Sequence, residues 1–225
     1  MEKIVKEFYV YDFDELSDDV KEKLIEKERE YQLESYCDCF LYDDMGSKAS
    51  DLINDYFGIT SDYLKTYYDL SYCQGSGAMV EFDINIVDLN NKYNIYSKEE
   101  LAFITDNGIV NDIRIRHYDN FYCHEYTFNI DYDYFNDYSY EDIKDKYGIT
   151  EKDFETLDDR FYNLVDSSIK HNTESEFIKD IIKLNGELTK YGYECIEYFG
   201  NCDEKEIIEH IYNNDCKYYE NGDVF

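Results

Sequence analysis

The chain has 225 residues, with 53 acidic against 22 basic side chains and a net charge of −31; it holds 27 Tyr and 14 Phe but neither Trp nor Pro. So acidic a surface argues against binding nucleic acid by phosphate neutralisation, which needs clustered Lys and Arg, and against docking on an anionic membrane. With 18% aromatic and 43% apolar residues it is not an acidic disordered chain, and its length supports one large or two small cores.

The elements follow from where the apolar rhythm changes period. Residues 4–13 alternate around Phe8, Val10, Tyr9, Tyr11 and Phe13 as a first strand. Ser17 can cap a helix running to about Leu33, and Ser47 or Ser50 opens a shorter one that Gly58 ends. Residues 67–87 read as a β-hairpin. Tyr68, Leu70 and Tyr72 share a face of its first strand, and Gly75-Ser76-Gly77 make the turn. Val80, Phe82, Ile84 and Ile86 share one face of its second strand, with Glu81, Asp83 and Asn85 opposite.

Ser97 and Glu100 form a capping box for a short helix that Gly108 closes. Ile113, Ile115 and His117 then alternate with Arg114 and Arg116. The clearest strand sets Tyr126, Phe128, Ile130, Tyr132 and Tyr134 on one face. Glu125, Thr127, Asn129, Asp131 and Asp133 take the other.

The last third is helical. Phe154, Leu157, Phe161, Leu164 and Ile169 carry one helix. Thr173 and Glu176 box the next, with Phe177, Ile181, Leu184 and Leu188 on its apolar stripe. A strand near Tyr193–Phe199, a helix holding Ile207, Ile208 and Ile211, and a turn at Asn221-Gly222 complete the chain. Tyr56-Phe-Gly-Ile-Thr60 is echoed by Lys146-Tyr-Gly-Ile-Thr150, a reused helix-joint signal rather than a repeat array. The sum is an α+β protein: an antiparallel sheet with helices packed on one face and a helix-rich C-terminal third. Residues 1–225 read as a single unit, with a subdivision into a strand-rich 1–137 and a helix-rich 138–225 as the alternative.

Four motifs invite chemistry and each has a plainer reading. Asp131-Tyr-Asp133 through Asp142 lacks the oxygen ligand and the Gly that a calcium loop needs, having Phe135 and Asn136 there. Cys73-Gln-Gly75-Ser-Gly77 matches neither a nucleophile elbow nor a P-loop and fits a hairpin turn. Cys37-Asp-Cys39 and Cys123-His124 have the wrong spacing for zinc. Arg114 and Arg116, half of the arginines, fit cross-strand pairing with Glu81 and Asp83 or with Asp131 and Asp133 better than an anion site. No cofactor is expected. Seven irregularly spaced Cys and a start without an apolar signal core point to reduced thiols in the cytoplasm, with no membrane-spanning stretch.

The charge is the strongest signal. At an average usage of about 5%, roughly eleven prolines are expected where none occurs. AT-rich coding explains that gap and the many Tyr, Asn and Ile. It should also have supplied Lys, so the acidity runs against it. A net charge of −31 also far exceeds the roughly 2–8 that solubility of a small domain needs. Residues 131–160 alone hold eleven acids and four bases, interleaved with Tyr. Acids at i and i+2 of a strand stand roughly 6.6 Å apart, a phosphate-like interval. The expected partner-binding residues are Glu81, Asp83, Glu125, Asp131, Asp133, Asp137, Tyr138, Tyr140, Glu141, Asp142 and Asp145.

Leu70-Ser-Tyr-Cys-Gln-Gly-Ser-Gly-Ala78, after the Leu16-Ser-Asp-Asp-Val-Lys-Glu-Lys-Leu24 helix start, is similar to a pattern in uncharacterised phage proteins. The acidic, aromatic-rich chain as a whole resembles phage-encoded inhibitors of bacterial defence, which include DNA mimics and several anti-CRISPR proteins. That resemblance implies a host protein as partner and brings no site residues with it. The expected function is a non-enzymatic inhibitor that binds a basic nucleic-acid-binding host protein, a CRISPR effector or defence nuclease, and blocks its channel. The alternatives are a metal-dependent enzyme with a carboxylate cluster and an inert phage assembly protein.

Overall fold

The computed structural model describes residues 7–106, 108–118, 122–134, 150–166 and 174–225, the side chains of Asn111, Asp133 and Tyr134 excepted. Among these residues the helices are α1 (Asp18–Cys39), α2 (Leu41–Phe57), α3 (Ile86–Tyr93), α4 (Lys98–Asp106), α5 (Glu151–Val165), α6 (Glu176–Gly200) and α7 (Glu204–Asn213). The strands are β1 (Leu64–Asp69), β2 (Gly77–Asn85), β3 (Val110–His117) and β4 (Phe128–Tyr134). No described helix is long and apolar enough to cross a membrane. The chain forms two compact units, residues 1–41 with 194–225 and residues 42–193.

The larger unit is built on one antiparallel sheet in the order β1-β2-β3-β4. Alternation along the strands sorts its two faces. Phe82, Ile84, Ile113, Ile115 and Ile130 share the apolar face and are at most 8% exposed. Helices pack on that face: Phe57 of α2 lies 5.2 Å from Phe82 and 5.8 Å from Phe177 of α6, and Tyr132 meets Phe161 of α5 at 5.1 Å. The fold is therefore α+β with helices on one side of the sheet.

β3 pairs with β2 only as far as Phe82↔Ile115. Beyond that point two β2 amides turn to side chains of α6. Val80 N–H donates to Asn185 Oδ1 at 3.1 Å, and Ala78 N–H donates to Thr189 Oγ1 at 2.7 Å. Asn185 is fully buried.

A cluster of charged and aromatic side chains ties α3 to its neighbours. The Lys92 ammonium pairs with Asp180 at 2.8 Å, donates to the Tyr56 carbonyl at the end of α2, and sits 4.8 Å from the Phe57 ring and 5.3 Å from that of Tyr93. Tyr93 donates to the same Asp180, and burial together with that carboxylate pushes its phenol well above the usual range.

The smaller unit packs α1 against α7 around Phe13, Leu16, Leu24, Ile25, Ile207, Ile211 and Tyr218. Tyr36 stacks on Phe199 at 3.9 Å.

Several expected elements change. The strand expected near Tyr193–Phe199 is helix, because α6 runs on to Gly200. Gly192 keeps the apolar stripe going there as a buried position, and a Cβ on it would stand 2.8 Å from Leu70. Of the first strand, expected over 4–13, residues 4–6 lie outside the described residues, and residues 7–13 keep one antiparallel bridge, Tyr11↔Tyr218, followed by a 3-10 turn at Phe13–Glu15. α1 continues past Leu33 to Cys39, and α2 opens at Leu41 rather than at Ser47 or Ser50, since Met45, Ala49, Leu52 and Ile53 already form its buried stripe. Ile86 starts α3 instead of ending the strand: Asn85 Oδ1 accepts the Asp88 N–H at 2.9 Å and caps the turn. The Ser97–Glu100 box is present, with Oε2 of Glu100 accepting the Ser97 N–H at 2.7 Å. Thr173, Ile169 and Gly148 lie outside the described residues; Ser175 accepts the Ile178 N–H at 3.3 Å at the start of α6.

Candidate functional site

The polar face of the sheet gathers several ionisable groups of the larger unit. Glu81 stands opposite Lys65 of β1, and Asp83 stands opposite Arg114 of β3. Neither acid is a free ligand. Glu81 is 5% exposed; its Oε1 accepts the His117 backbone N–H at 2.8 Å and its Oε2 accepts the Tyr63 hydroxyl at 2.8 Å. The carboxylate thus fills the place where a paired β2 backbone would have been. Asp83 is held by Arg116 at 2.5 Å, and the Arg116 guanidinium also lies over the Tyr63 ring at 4.5 Å. The cross-strand ion pair expected for the two arginines is made by Arg116, diagonally.

His117 stacks on Tyr67 at 4.6 Å, and Lys65 lies over Tyr67 at 4.4 Å. Cys123 Sγ approaches His117 Nε2 at 3.8 Å, which resembles a nucleophile with its base. The same Nε2 lies 2.8 Å from the Tyr122 carbonyl, which only accepts, so this ring nitrogen is engaged with the backbone as well as facing the thiol.

The glycine-rich loop before β2 meets its own chain. A Cβ on Gly75 would stand 1.9 Å from the Tyr122 ring, and one on Gly77 would stand 2.8 Å from the Cys123 carbonyl. Among the described residues no three His, Cys, Asp or Glu side chains converge as a metal site.

The other expected residues are spread. Asp131 is exposed and stands opposite Arg114, so Asp83, Arg114 and Asp131 form one cross-strand row. Glu125 is half-buried, and its carbonyl lies 3.4 Å from Asn185 Nδ2. Asp133 falls within β4. Asp137, Tyr138, Tyr140, Glu141, Asp142 and Asp145 lie outside the described residues. Of the expected set, the structure brings together Glu81, Asp83 and Asp131.

Helix α1, in the smaller unit, carries an acidic feature that the reading by strands missed. Asp18, Glu22, Glu26, Glu30, Glu34 and Asp38 recur at every fourth residue, and all six are exposed. At 1.5 Å per residue this ladder spans about 30 Å and winds slowly in a right-handed sense. Like charges at i and i+4 each weaken a helix by about 0.2–0.5 kcal/mol. Only Glu26 has a close basic neighbour on the helix, Arg29 at 2.5 Å, among the described ion pairs. Glu34 and Asp38 also stand in the C-terminal turns, where the macrodipole disfavours acids, and no base occupies the last turn. The ladder is therefore not explained by helix stability. Its signal was legible as a spacing of four.

Comparison of the chain with protein-family models, with curated proteins and with solved structures finds no match.

Proposed function

We propose that this protein is a non-enzymatic inhibitor: it docks on a basic nucleic-acid-binding host protein, a CRISPR effector or defence nuclease, and occludes its nucleic-acid channel. The observation that carries the reading is the exposed six-acid ladder of α1 in a chain of net charge −31. One acid per roughly 6 Å along the helix axis is close to every second phosphate of one DNA strand, which advances about 3.4 Å per residue. A surface of this sign speeds encounter with a basic groove and rejects acidic competitors. The exposed Tyr31 beside the ladder adds rigid contact area with a polar tip. Asp131 is a further exposed acid, on the edge strand of the larger unit, whereas Glu81 is buried and Asp83 is paired with Arg116.

The test is competition. The chain should displace a labelled duplex from a purified CRISPR effector or defence nuclease, and the displacement should weaken when Glu30, Glu34 and Asp38 are changed to Lys. A chain that displaces no duplex from any member of such a panel, at protein concentrations far above those of the nuclease, would overturn the reading.

A further inference from the structure

The smaller unit contains a second feature suited to a basic partner, and it is a cavity rather than a surface row. About 350 Å³ opens between the Phe13–Glu15 turn and the end of α7. Its walls are aromatic and aliphatic: Phe13, Ile211, Tyr212 and Tyr218. Phe13 and Tyr212 meet edge to face at 5.7 Å, and of the two rings Phe13 is buried while Tyr212, 49% exposed, keeps accessible ring surface. Carboxylates surround these rings: Asp12, Asp14, Glu15 and Asp215.

Lys217 neutralises Asp12, and Lys21 Nζ donates to the Asp14 carbonyl at 2.9 Å, so Asp14, Glu15 and Asp215 carry the negative charge of the cavity. The Tyr212 hydroxyl donates to Asp14, and Glu15 accepts the Asp12 N–H at 2.9 Å. Tyr219, which follows the cavity-lining Tyr218 in the chain, belongs to an aromatic row that stands in solvent. Phe8 packs edge-on to Tyr219 at 6.0 Å, and Tyr219 packs on Phe225 at 5.5 Å. Phe8 is 61% exposed and Phe225 67%, with Tyr9 and Val224 exposed next to them. Large apolar side chains held in order at the surface mark an interaction site, and the acids around them set the sign of what docks.

Resting on the inhibitor reading above, we infer that this cavity receives an arginine side chain of the partner while the Phe8–Tyr219–Phe225 row takes the apolar residues flanking it. Arginine fits better than lysine. Its planar guanidinium stacks on aromatic walls and offers paired donors to carboxylates, whereas an ammonium is a strongly hydrated point charge.

The probe is the capped tripeptide acetyl-Val-Arg-Val-amide, titrated into the full chain by NMR. Its control carries citrulline, which keeps the shape of arginine without the charge. The arginine peptide should give saturable shifts confined to Phe13, Tyr212, Cys216, Tyr218 and the aromatic row, and the citrulline peptide should not. Asp14→Asn with Asp215→Asn, which removes the charge of two of the carboxylates, should weaken binding at least about tenfold, or about 1.4 kcal/mol. Asn retains the acceptor for Tyr212, so the fold around Phe13 is kept. Equal binding of the two peptides, or unsaturable shifts spread along α1 and α5, overturns the inference. Displacement of duplex from the nuclease by the Asp14→Asn, Asp215→Asn chain at undiminished affinity overturns it too, and leaves the inhibitor reading standing. Saturable arginine binding by a chain that displaces no duplex supports the cavity and removes the inhibitor reading.

Discussion

Asn185 on α6 accepts the backbone N–H of Val80 at 3.1 Å, so a helix side chain takes the place of a strand along the inner half of β2. Thr189, one turn on, does the same for Ala78. Asn185→Ala should leave a buried donor unpaired, at a cost of about 1–3 kcal/mol. Urea unfolding should show this as a lower midpoint with little change in slope. Thr189→Val should act in the same direction, and a midpoint unmoved by either change would contradict the edge-capping role.

Gly75 should resist substitution for two separate reasons. Its φ of +92° is strained for any residue with a Cβ, and the Tyr122 ring occupies the space that a Cβ needs. Gly75→Ala should cost about 1–3 kcal/mol and expose residues 122–127 to hydrogen exchange, because Cys123 N–H donates to the Gly75 carbonyl. Adding Tyr122→Ala should relieve the steric part and leave the backbone strain. If the double variant were no more stable than the simple sum of the two changes, the contact would not be the cause.

Much of the fold was legible where one period held. The β2, β3 and β4 alternations, the Ser97–Glu100 box and the Phe177–Leu188 stripe all reappear in the structure. The failures have local causes. The polar residues of Tyr193–Phe199 imitate strand alternation, yet Gly192 lets the preceding helix pack closely and continue. The fate of Glu81 could not be read from β2 alone. Its burial depends on β3 leaving the ladder at Ile115 and on His117 turning its amide inward, both of which are tertiary events. The α1 ladder was present as a spacing of four and was overlooked because acids were sought on strands.

Acid stability should depend on Glu100. Its carboxylate accepts two hydrogen bonds from Arg160, at 2.5 and 3.3 Å, and that partner above all holds its pKa down to about 2 from an ordinary 4.5. A lowered folded pKa contributes stability that is complete above about pH 4.5 and is lost as the pH falls towards 2. Subtracting the stability of Glu100→Gln from that of the unaltered protein should therefore give a positive difference at neutral pH that shrinks across this interval. A difference independent of pH would mean that the ion pair contributes nothing in solution.

The account turns on whether the α1 ladder meets a basic surface, and the salt dependence of the association rate with a CRISPR effector or defence nuclease that the chain inhibits measures this most directly. Replacing Glu30, Glu34 and Asp38 by Lys exchanges two like-charged i,i+4 pairs for two others, makes the pair with Glu26 attractive and removes Asp38 from the last turn, so the helix should not lose stability, and circular dichroism of the variant separates lost binding from unfolding. The same reversal at the exposed Asp51, Asp55 and Asp62 changes the net charge equally. Between about 50 and 200 mM salt the unaltered chain and the Asp51, Asp55, Asp62 variant should show steeply falling rates, while the α1 variant associates slowly and almost independently of salt. Equal slopes for the two variants would contradict the account, because net charge alone, and not the ladder, would then govern the encounter.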